Sequence, residues 1–517
     1  MALAKALRYA VLHVGSSSMS ITIMEYKSID DVRVVDKASR EVTFGEEVFQ
    51  TGRLSFQTIE ELCRVLRGYK QLMADYGVVK AKLYGTTVIR EAANRRIILD
   101  QIFIHTGMRV EVIDMPKEVY YKYFLLYHDM RTKKEFNKDE AMMFLDITSG
   151  GVGITVWRGN EMLFQRNIHS GSLRVIESFK RNERAASTFP EAVAEYVSRV
   201  MSPLREELRE FNVKSIVFAG DEARMLGEFM GYDVVDQETL HVAPHDFYHF
   251  VDSFHGVTVT KLINRYGLPE FRANILMPTI ILYNEVMHMI TPDELLVSGI
   301  SFSEGISLLY GVEAENHPYL SLLREQNVQL ARAIARRYRT DAVHDREVER
   351  FSVQISAALK DKGFPERWGY LGRIASILCS VGKYVNLRNH GEHAYHIVMG
   401  TDIFGLSEEE KEVVANVVYY HYKGTPSDDD EYFRHLTEFQ KIQVTKLVAV
   451  IRIACSLDAG SNQKISSIDI ARQDEEITIT AHTNEDISLE AWTFKRDAEY
   501  FANVFGMSIQ LVMGGAR

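Results

Sequence analysis

Apolar and polar positions alternate along this chain with two periods, and the period changes mark its elements. From Tyr9 to Val14 apolar residues run almost unbroken, and from Ser20 to Glu25 they alternate, which predicts a buried strand and its hairpin partner. Arg33 to Val42 reads as a further strand of the same sheet. Thr58 to Tyr76 switches to helical spacing through Leu62, Val65, Leu66, Tyr69 and Leu72, and Gly77 stops it. A strand over Val78 to Tyr84, a helix over Val88 to Gly107, a strand over Arg109 to Asp114 and a helix over Lys117 to Leu126 follow. A polar stretch, His128 to Asp139, then leads into Met142 to Trp157, which reads MMFLDITSGGVGITVW. There an apolar run ends in Asp146, a small-residue turn follows, and an alternating run leaves it. Leu163 to His169 extends that sheet. Helices are expected over Gly171 to Lys180, Phe189 to Phe211, from Glu222, over Val257 to Tyr266 and over Pro278 to Met289. Strands are expected over Lys214 to Ala219 and Glu294 to Ser298, with a further helix after Gly299 to Gly305.

The two hairpins are copies of one another. LHVGSSSMSITI, from Leu12, and LDITSGGVGITV, from Leu145, align without a gap. Leu12 falls on Leu145, Ser16 on Ser149, Ile21 on Ile154 and Thr22 on Thr155; His13 falls on Asp146 and breaks the chemistry. A repeat of this kind predicts two similar lobes facing a shared cleft. From His317 to Ser456 strand signals vanish and the chain turns helical and His-rich. After Ile465 it reads as a small β-β-α-β unit: Lys464 to Ala471, Glu476 to His482, a helix over Ser488 to Phe505, and Met507 to Val512. The expected domains are residues 1–125, 126–305, 306–456 and 457–517.

The 517 residues, 46% apolar and 25% charged, are those of an ordinary globular chain of several domains. A net charge of -11 recruits neither nucleic acid nor an anionic membrane, so a polyanionic ligand must be met by local cations. Three scattered cysteines, Cys63, Cys379 and Cys455, suit a reducing compartment. No apolar run reaches the length of a membrane span, and the start lacks a signal-peptide pattern, so a cytoplasmic location is expected.

Small-residue turns leave backbone N–H groups exposed to an anion. Gly15, Ser16, Ser17 and Ser18 form one such turn, and Ser149, Gly150 and Gly151 the other. The segments that carry them resemble the long form of the exopolyphosphatase/guanosine-pentaphosphate phosphohydrolase (Ppx/GppA) family over nearly the whole chain. The likeness rests on YAVLHVGSSSMSI, TTVIREAAN, LDITSGG, GLPEFRANILMPTIIL with SFSEG, and SVGKYVNLRNHGEHAYHIVMGTDIFGLSEEE followed by VVYYHYKG. It implies two α/β lobes of the actin/sugar-kinase (ribonuclease-H-like) type around a cleft, then an all-α HD-like domain and a small α+β domain. It implies release of terminal phosphate from polyphosphate or guanosine pentaphosphate, with Mg²⁺ or Mn²⁺, in a homodimer. By the same likeness Glu118 stands at the catalytic glutamate, Asp146 at the metal- or water-orienting aspartate, and Arg90 at a phosphate-clamping arginine. Phosphoanhydride hydrolysis needs those parts: cations or N–H groups on the phosphoryl oxygens, a metal, and a carboxylate to orient water.

The chain also departs from the family pattern. The first-loop aspartate is His13, a second acid is replaced by Gly153, and Asp221 and Glu222 stand where small neutral residues are usual. The arginine after the catalytic glutamate is Tyr120. In the helical region the metal-binding His-Asp pair aligns with Cys379-Ser380 and a later aspartate with Cys455, so no HD-type metal catalysis is expected. Each site residue also has a plainer role: His13 as a hydrogen-bonded strand residue, Asp146 as a turn cap, Glu118 as a helix-start acid, Arg90 as an ion-pair partner. His390, His393 and His396 are spaced like a metal cluster, and equally like the face of a helix without metal. Two readings of the whole stand: a phosphohydrolase, or a catalytically degenerate member that binds polyphosphate, a nucleotide or a protein as a sensor or regulator. An actin-like ATPase or sugar kinase is a third, disfavoured by the helical domain.

Overall fold

The structure is a computed structural model that describes residues 7–133, 137–180, 182–184, 186, 188–234, 239–254, 257–268, 270–422 and 424–514. Residues 134–136 of the expected polar link, Pro269 and Lys423 lie outside these. The chain divides into two compact units, Met1–Arg324 and Glu325–Arg517.

The first unit contains both predicted lobes. In the first, β1 (Leu7–Val14), β2 (Ser18–Ser28), β3 (Asp31–Glu41), β4 (Lys80–Gly85) and β5 (Val110–Val112) lie in the order β3-β2-β1-β4-β5. β1 pairs antiparallel with β2 and parallel with β4. The unbroken apolar run of β1 is explained by its central place, with Leu12 and Val14 fully buried. β3 is one of the two edge strands, and its exposed charges, Arg33 and Arg40 among them, discourage pairing with another chain. α1 (Phe44–Thr51) was not signalled by the pattern, being only two turns long. α2 (Phe56–Asp75) starts on the Ser55 side chain, which accepts from Thr58 N, and buries Leu62, Val65, Leu66 and Tyr69 as expected. The helix expected over Val88 to Gly107 is two, α3 (Thr87–Glu91) and α4 (Arg95–Thr106). They part at Ala92, which is extended, and the Asn94 amide pairs with both backbone groups of Leu54 at 3.2 and 2.8 Å.

α5 (Met115–Lys133) runs straight through the boundary expected at 125, and every residue from 118 to 127 is buried. A helix apolar on all sides is an interior helix. The second lobe repeats the first: β6 (Ala141–Ile147), β7 (Val152–Arg158), β8 (Glu161–Ile168), β9 (Val213–Ala219), β10 (Thr239–Val242) and β11 (Glu294–Ser298) lie in the order β10-β11-β9-β6-β7-β8. Here the repeat is literal. His13 lies opposite Ser20 across the first hairpin, and Asp146 opposite Gly153 across the second, at the same register. Around this sheet lie α6 (Ser172–Glu177), α7 (Phe189–Arg209), α8 (Asp221–Phe229), α9 (Pro244–Ser253), α10 (Val259–Tyr266) and α11 (Glu270–Ile290). α12 (Phe302–Ala314) begins with a Ser301–Glu304 capping box and returns to the first lobe, packing on β1, β2 and α5. The boundary expected at 305 therefore falls inside a helix that completes the first lobe.

In the second unit, helices Ala342–Ala358, Glu366–Leu378, His390–Met399, Glu408–Tyr420 and Glu438–Ser456 pack together. β12 (Ser467–Gln473), β13 (Glu476–His482) and β14 (Ser508–Gly514) form a small sheet, with the helix Ser488–Phe505 crossing between the parallel pair β13 and β14. The helix Ser488–Phe505 packs on Glu438–Ser456, so the segments expected as two domains form one compact body.

Candidate functional site

The two hairpin loops are braced from behind in the same way. Gly45 N donates to Ser16 O and Val42 N to Ser17 O, both at 2.9 Å. In the second lobe Ser172 N donates to Thr148 O and Leu173 N to Ser149 O, both at 3.1 Å. The start of α1 thus holds one loop and the start of α6 the other. Among the described residues, no hydrogen bond uses the N–H groups of Ser16, Ser17 or Ser149. Backbone donors rarely stay unused in a folded chain, so these await a ligand or solvent. Gly15, Ser16, Ser17, Ser18, Thr148 and Ser149 line one cavity of about 490 Å³. Gly150 and Gly151 are buried and are not among its lining residues.

Asp146 sits one residue from the end of β6, with no exposed surface. Its partner is Lys122 of α5, which sequence reasoning missed. The ammonium donates to Oδ1 at 2.8 Å and to Oδ2 at 2.7 Å, and lies 3.7 Å from Glu118, one turn earlier on the helix. Burial alone would push Lys122 down, but Asp146 and Glu118 outweigh it and hold the ammonium above its ordinary range. Burial pushes the Asp146 carboxyl up, to about 6, against the pull of Lys122. The signal was present: Lys122 is a lone cation among Val119, Tyr120, Tyr121, Tyr123 and Phe124, and a lysine inside a buried helix needs an acid. Tyr120, Tyr121 and Tyr123 pack the interior, Tyr123 against Trp157.

His13 occupies the place equivalent to Asp146. Its Nε2 lies 3.0 Å from Thr86 Oγ1, and its ring packs on Phe302. Burial lowers its pKa, so at neutral pH it is an uncharged imidazole. The other missing acid has a steric explanation. A Cβ on Gly153 would stand 2.5 Å from Val119 Cγ2, so α5 fills the space a longer side chain would need. Gly220, with φ 95°, brings the backbone close to Asp146 from the other side; a Cβ there would lie 2.9 Å from Oδ1. α8 follows at once, placing Asp221 and Glu222 on the cavity wall. Burial, then Asp221, pushes the Glu222 carboxyl up to about 8, with Lys122 opposing. A carboxyl that is largely protonated at neutral pH repels a phosphate less and can donate a hydrogen bond to it.

Glu118 lines the cavity with the two loops. Arg90 does not: its guanidinium donates to Ile113 O at 2.8 Å and Thr87 Oγ1 at 3.2 Å, and so braces the turn after β5. The cations on the wall are Lys37, Lys122, Arg224 and Arg272. Arg224 donates to Gly299 O at 2.7 Å, and Arg272 pairs with Glu41 at 2.5 Å.

The Mg²⁺ or Mn²⁺ implied by the family likeness does not fit these residues. Both oxygens of Asp146 accept from Lys122, His13 is neutral and turned to Thr86, and Val119 fills the space beside Gly153. Among the described residues, no three His, Cys, Asp or Glu side chains are placed to hold a metal ion. In the second unit His390 contacts Leu387 O, His421 contacts Val418 O and His396 contacts the Tyr432 hydroxyl, so these imidazoles serve separate local bonds. Cys379 donates to Ser376 O at 3.1 Å.

Two mixed sheets with matching hairpins around a cleft define an actin-like fold. Solved structures share it: an exopolyphosphatase from Cytophaga hutchinsonii covers 60% of this chain and 98% of its own, with a TM-score of 0.51 at 19% identity. The Ppx/GppA protein of Aquifex aeolicus covers 60% and 99%, with a TM-score of 0.50 at 22% identity. Residues 22–313 match the Ppx/GppA phosphatase family, and residues 324–503 match Ppx/GppA phosphatase, domain III. The chain belongs to the Ppx/GppA phosphatase family. Among its relatives, a guanosine-5'-triphosphate,3'-diphosphate pyrophosphatase of Vibrio vulnificus is 18% identical over 81% of each chain. One of Aeromonas hydrophila is 19% identical over 86% of this chain and 87% of its own.

Proposed function

We propose that the cleft binds a phosphorylated compound, inorganic polyphosphate or a phosphorylated guanosine nucleotide, and that the chain acts as a sensor or regulator without metal-assisted hydrolysis. The observation that carries the binding is the set of uncommitted N–H groups at Ser16, Ser17 and Ser149 on one cavity wall. Two such loops facing each other cradle phosphoryl oxygens as P-loops do. The relatives' names supply the two ligand classes. The carboxylates for hydrolysis are depleted: Asp146 is committed to Lys122, and the positions of two further acids hold His13 and Gly153.

A second reading is hydrolysis of the terminal phosphate with Glu118 taking the proton from water, and it is favoured by the place of Glu118 on the same wall as both loops. Calorimetry and phosphate release decide between them. We expect polyphosphate or guanosine pentaphosphate to bind with no phosphate release above buffer. Release that is lost in Glu118→Gln establishes the hydrolase. Absence of binding to either compound removes the sensor reading.

A further inference from the structure

Lys122 is enclosed with the group it neutralises. Its side chain is 6% exposed and that of Asp146 is 0% exposed, with two short contacts between them. The lysine reaches Asp146 from α5, the helix between the two lobes, and also lines the cavity. An ammonium has three N–H donors, and two are directed at the Asp146 oxygens. A divalent ion on Asp146 would have to displace this ammonium from both carboxylate oxygens, leaving it only the longer contact with Glu118 at 3.7 Å. Gly220 closes against Oδ1. The neighbours that would complete a metal shell are a neutral His13 and a glycine backed by Val119.

We propose that the Lys122 ammonium is the resident cation of the cleft, standing where the family likeness implies a divalent metal, and that the chain binds its phosphorylated ligand without one. The ligand half of this statement rests on the binding reading above; the metal half does not. Lys122 offers its remaining N–H to a phosphate oxygen held between the two loops. The charge is fixed by the chain, so occupancy of the cleft is insensitive to divalent-ion concentration.

The test uses the full chain. Mn²⁺ alone is titrated against it and followed by electron paramagnetic resonance, and inorganic polyphosphate binding is measured by calorimetry in EDTA. The expected results are no Mn²⁺ site that depends on Asp146, and polyphosphate binding that persists in EDTA. Lys122→Met is expected to weaken that binding by at least about tenfold, with Lys122→Arg retaining part of it. A Mn²⁺ site in the unmodified chain that disappears in Asp146→Asn overturns the proposal, and so does polyphosphate binding abolished by EDTA. If polyphosphate binds under no condition, the binding reading fails, and the Mn²⁺ titration still decides whether Lys122 or a metal occupies Asp146. The EDTA measurement is made on the unmodified chain, so a poorly folding variant does not obscure it, and loss of a Mn²⁺ site in Asp146→Asn counts only where that chain keeps the circular-dichroism spectrum of the unmodified one.

Discussion

At the scale of residues, the site is governed by charges buried where they are expensive to leave alone. Lys122 and Asp146 are each other's condition for burial. Removing one partner of a buried pair costs about 3–5 kcal/mol, while replacing both with apolar groups is often neutral. Lys122→Met should fall at the low end, because burial already raises Asp146 to about 6 and the acid takes up a proton once its partner is gone. Lys122→Met/Asp146→Leu should be more stable than Lys122→Met alone. Urea unfolding measures both, and strict additivity of the two changes would show that the side chains are not coupled. Glu222 gives a pH dependence. Its folded pKa, about 8, lies above that of the unfolded chain. The folded form therefore holds this proton more tightly, and the stability it contributes is lost as pH rises from the ordinary carboxylate range through about 8. Affinity for a polyanion should fall over the upper part of the same window, as the carboxylate forms beside Asp221. Glu222→Gln should flatten both profiles; an unchanged slope in thermal melts and in titrations across that range would remove Glu222 from the account.

At the scale of elements, α5 decides what the cleft can hold. It carries Glu118, Lys122 and the Val119 side chain that abuts Gly153. Restoring an acid at 153 is therefore expected to fail: Gly153→Glu should destabilise by about 1–3 kcal/mol through overpacking. Gly153→Ala should show a smaller loss, and adding Val119→Ala should recover part of it. Chemical denaturation of the four-member cycle checks this; equal losses with and without Val119 would place the strain elsewhere. Much of this architecture was legible in the sequence, for local reasons. The duplicated hairpin was visible because a buried strand and its partner impose a strict register, and Leu12 and Leu145 occupy the same place in it. α1 was not visible, because two turns of helix carry too little periodicity. The break at Ala92 was hidden because it is imposed by Asn94 reaching back to Leu54, a tertiary contact. The edges expected at 125 and 305 fall inside α5 and α12, and α12 packs on β1 and β2, which lie far from it in the sequence. Among site residues, both loops were found from their small residues; all of Gly15 to Ser18 lines the cavity, but of the second loop's expected residues only Ser149 does. Arg90 was assigned a phosphate by the family likeness; it is not among the residues lining the cavity, and its hydrogen bonds go to Ile113 and Thr87. Lys122 was overlooked because its meaning depends on Asp146, which is brought to it by the fold.

At the scale of the molecule, the cleft belongs entirely to the unit Met1–Arg324. The unit Glu325–Arg517 has its own helical core and its own sheet. Two bodies with separate cores need not unfold together, and a ligand stabilises only the body that binds it. The tryptophans make this observable. The chain has three. Trp157 is fully buried in the first unit against Tyr123 and Tyr127, whereas Trp368 and Trp492 lie in the second. Emission from a Trp368→Phe/Trp492→Phe chain should therefore report the first unit, and emission from Trp157→Phe the second. Polyphosphate at a hundred times its dissociation constant adds about 2.7 kcal/mol to whatever binds it. Thermal melts should show that gain in the Trp157 signal and little or none in the signal from Trp368 and Trp492. The same gain should persist in EDTA if Lys122 supplies the cation. An equal shift in both signals would mean that the two units unfold as one. A shift confined to the second would move the ligand out of the cleft altogether.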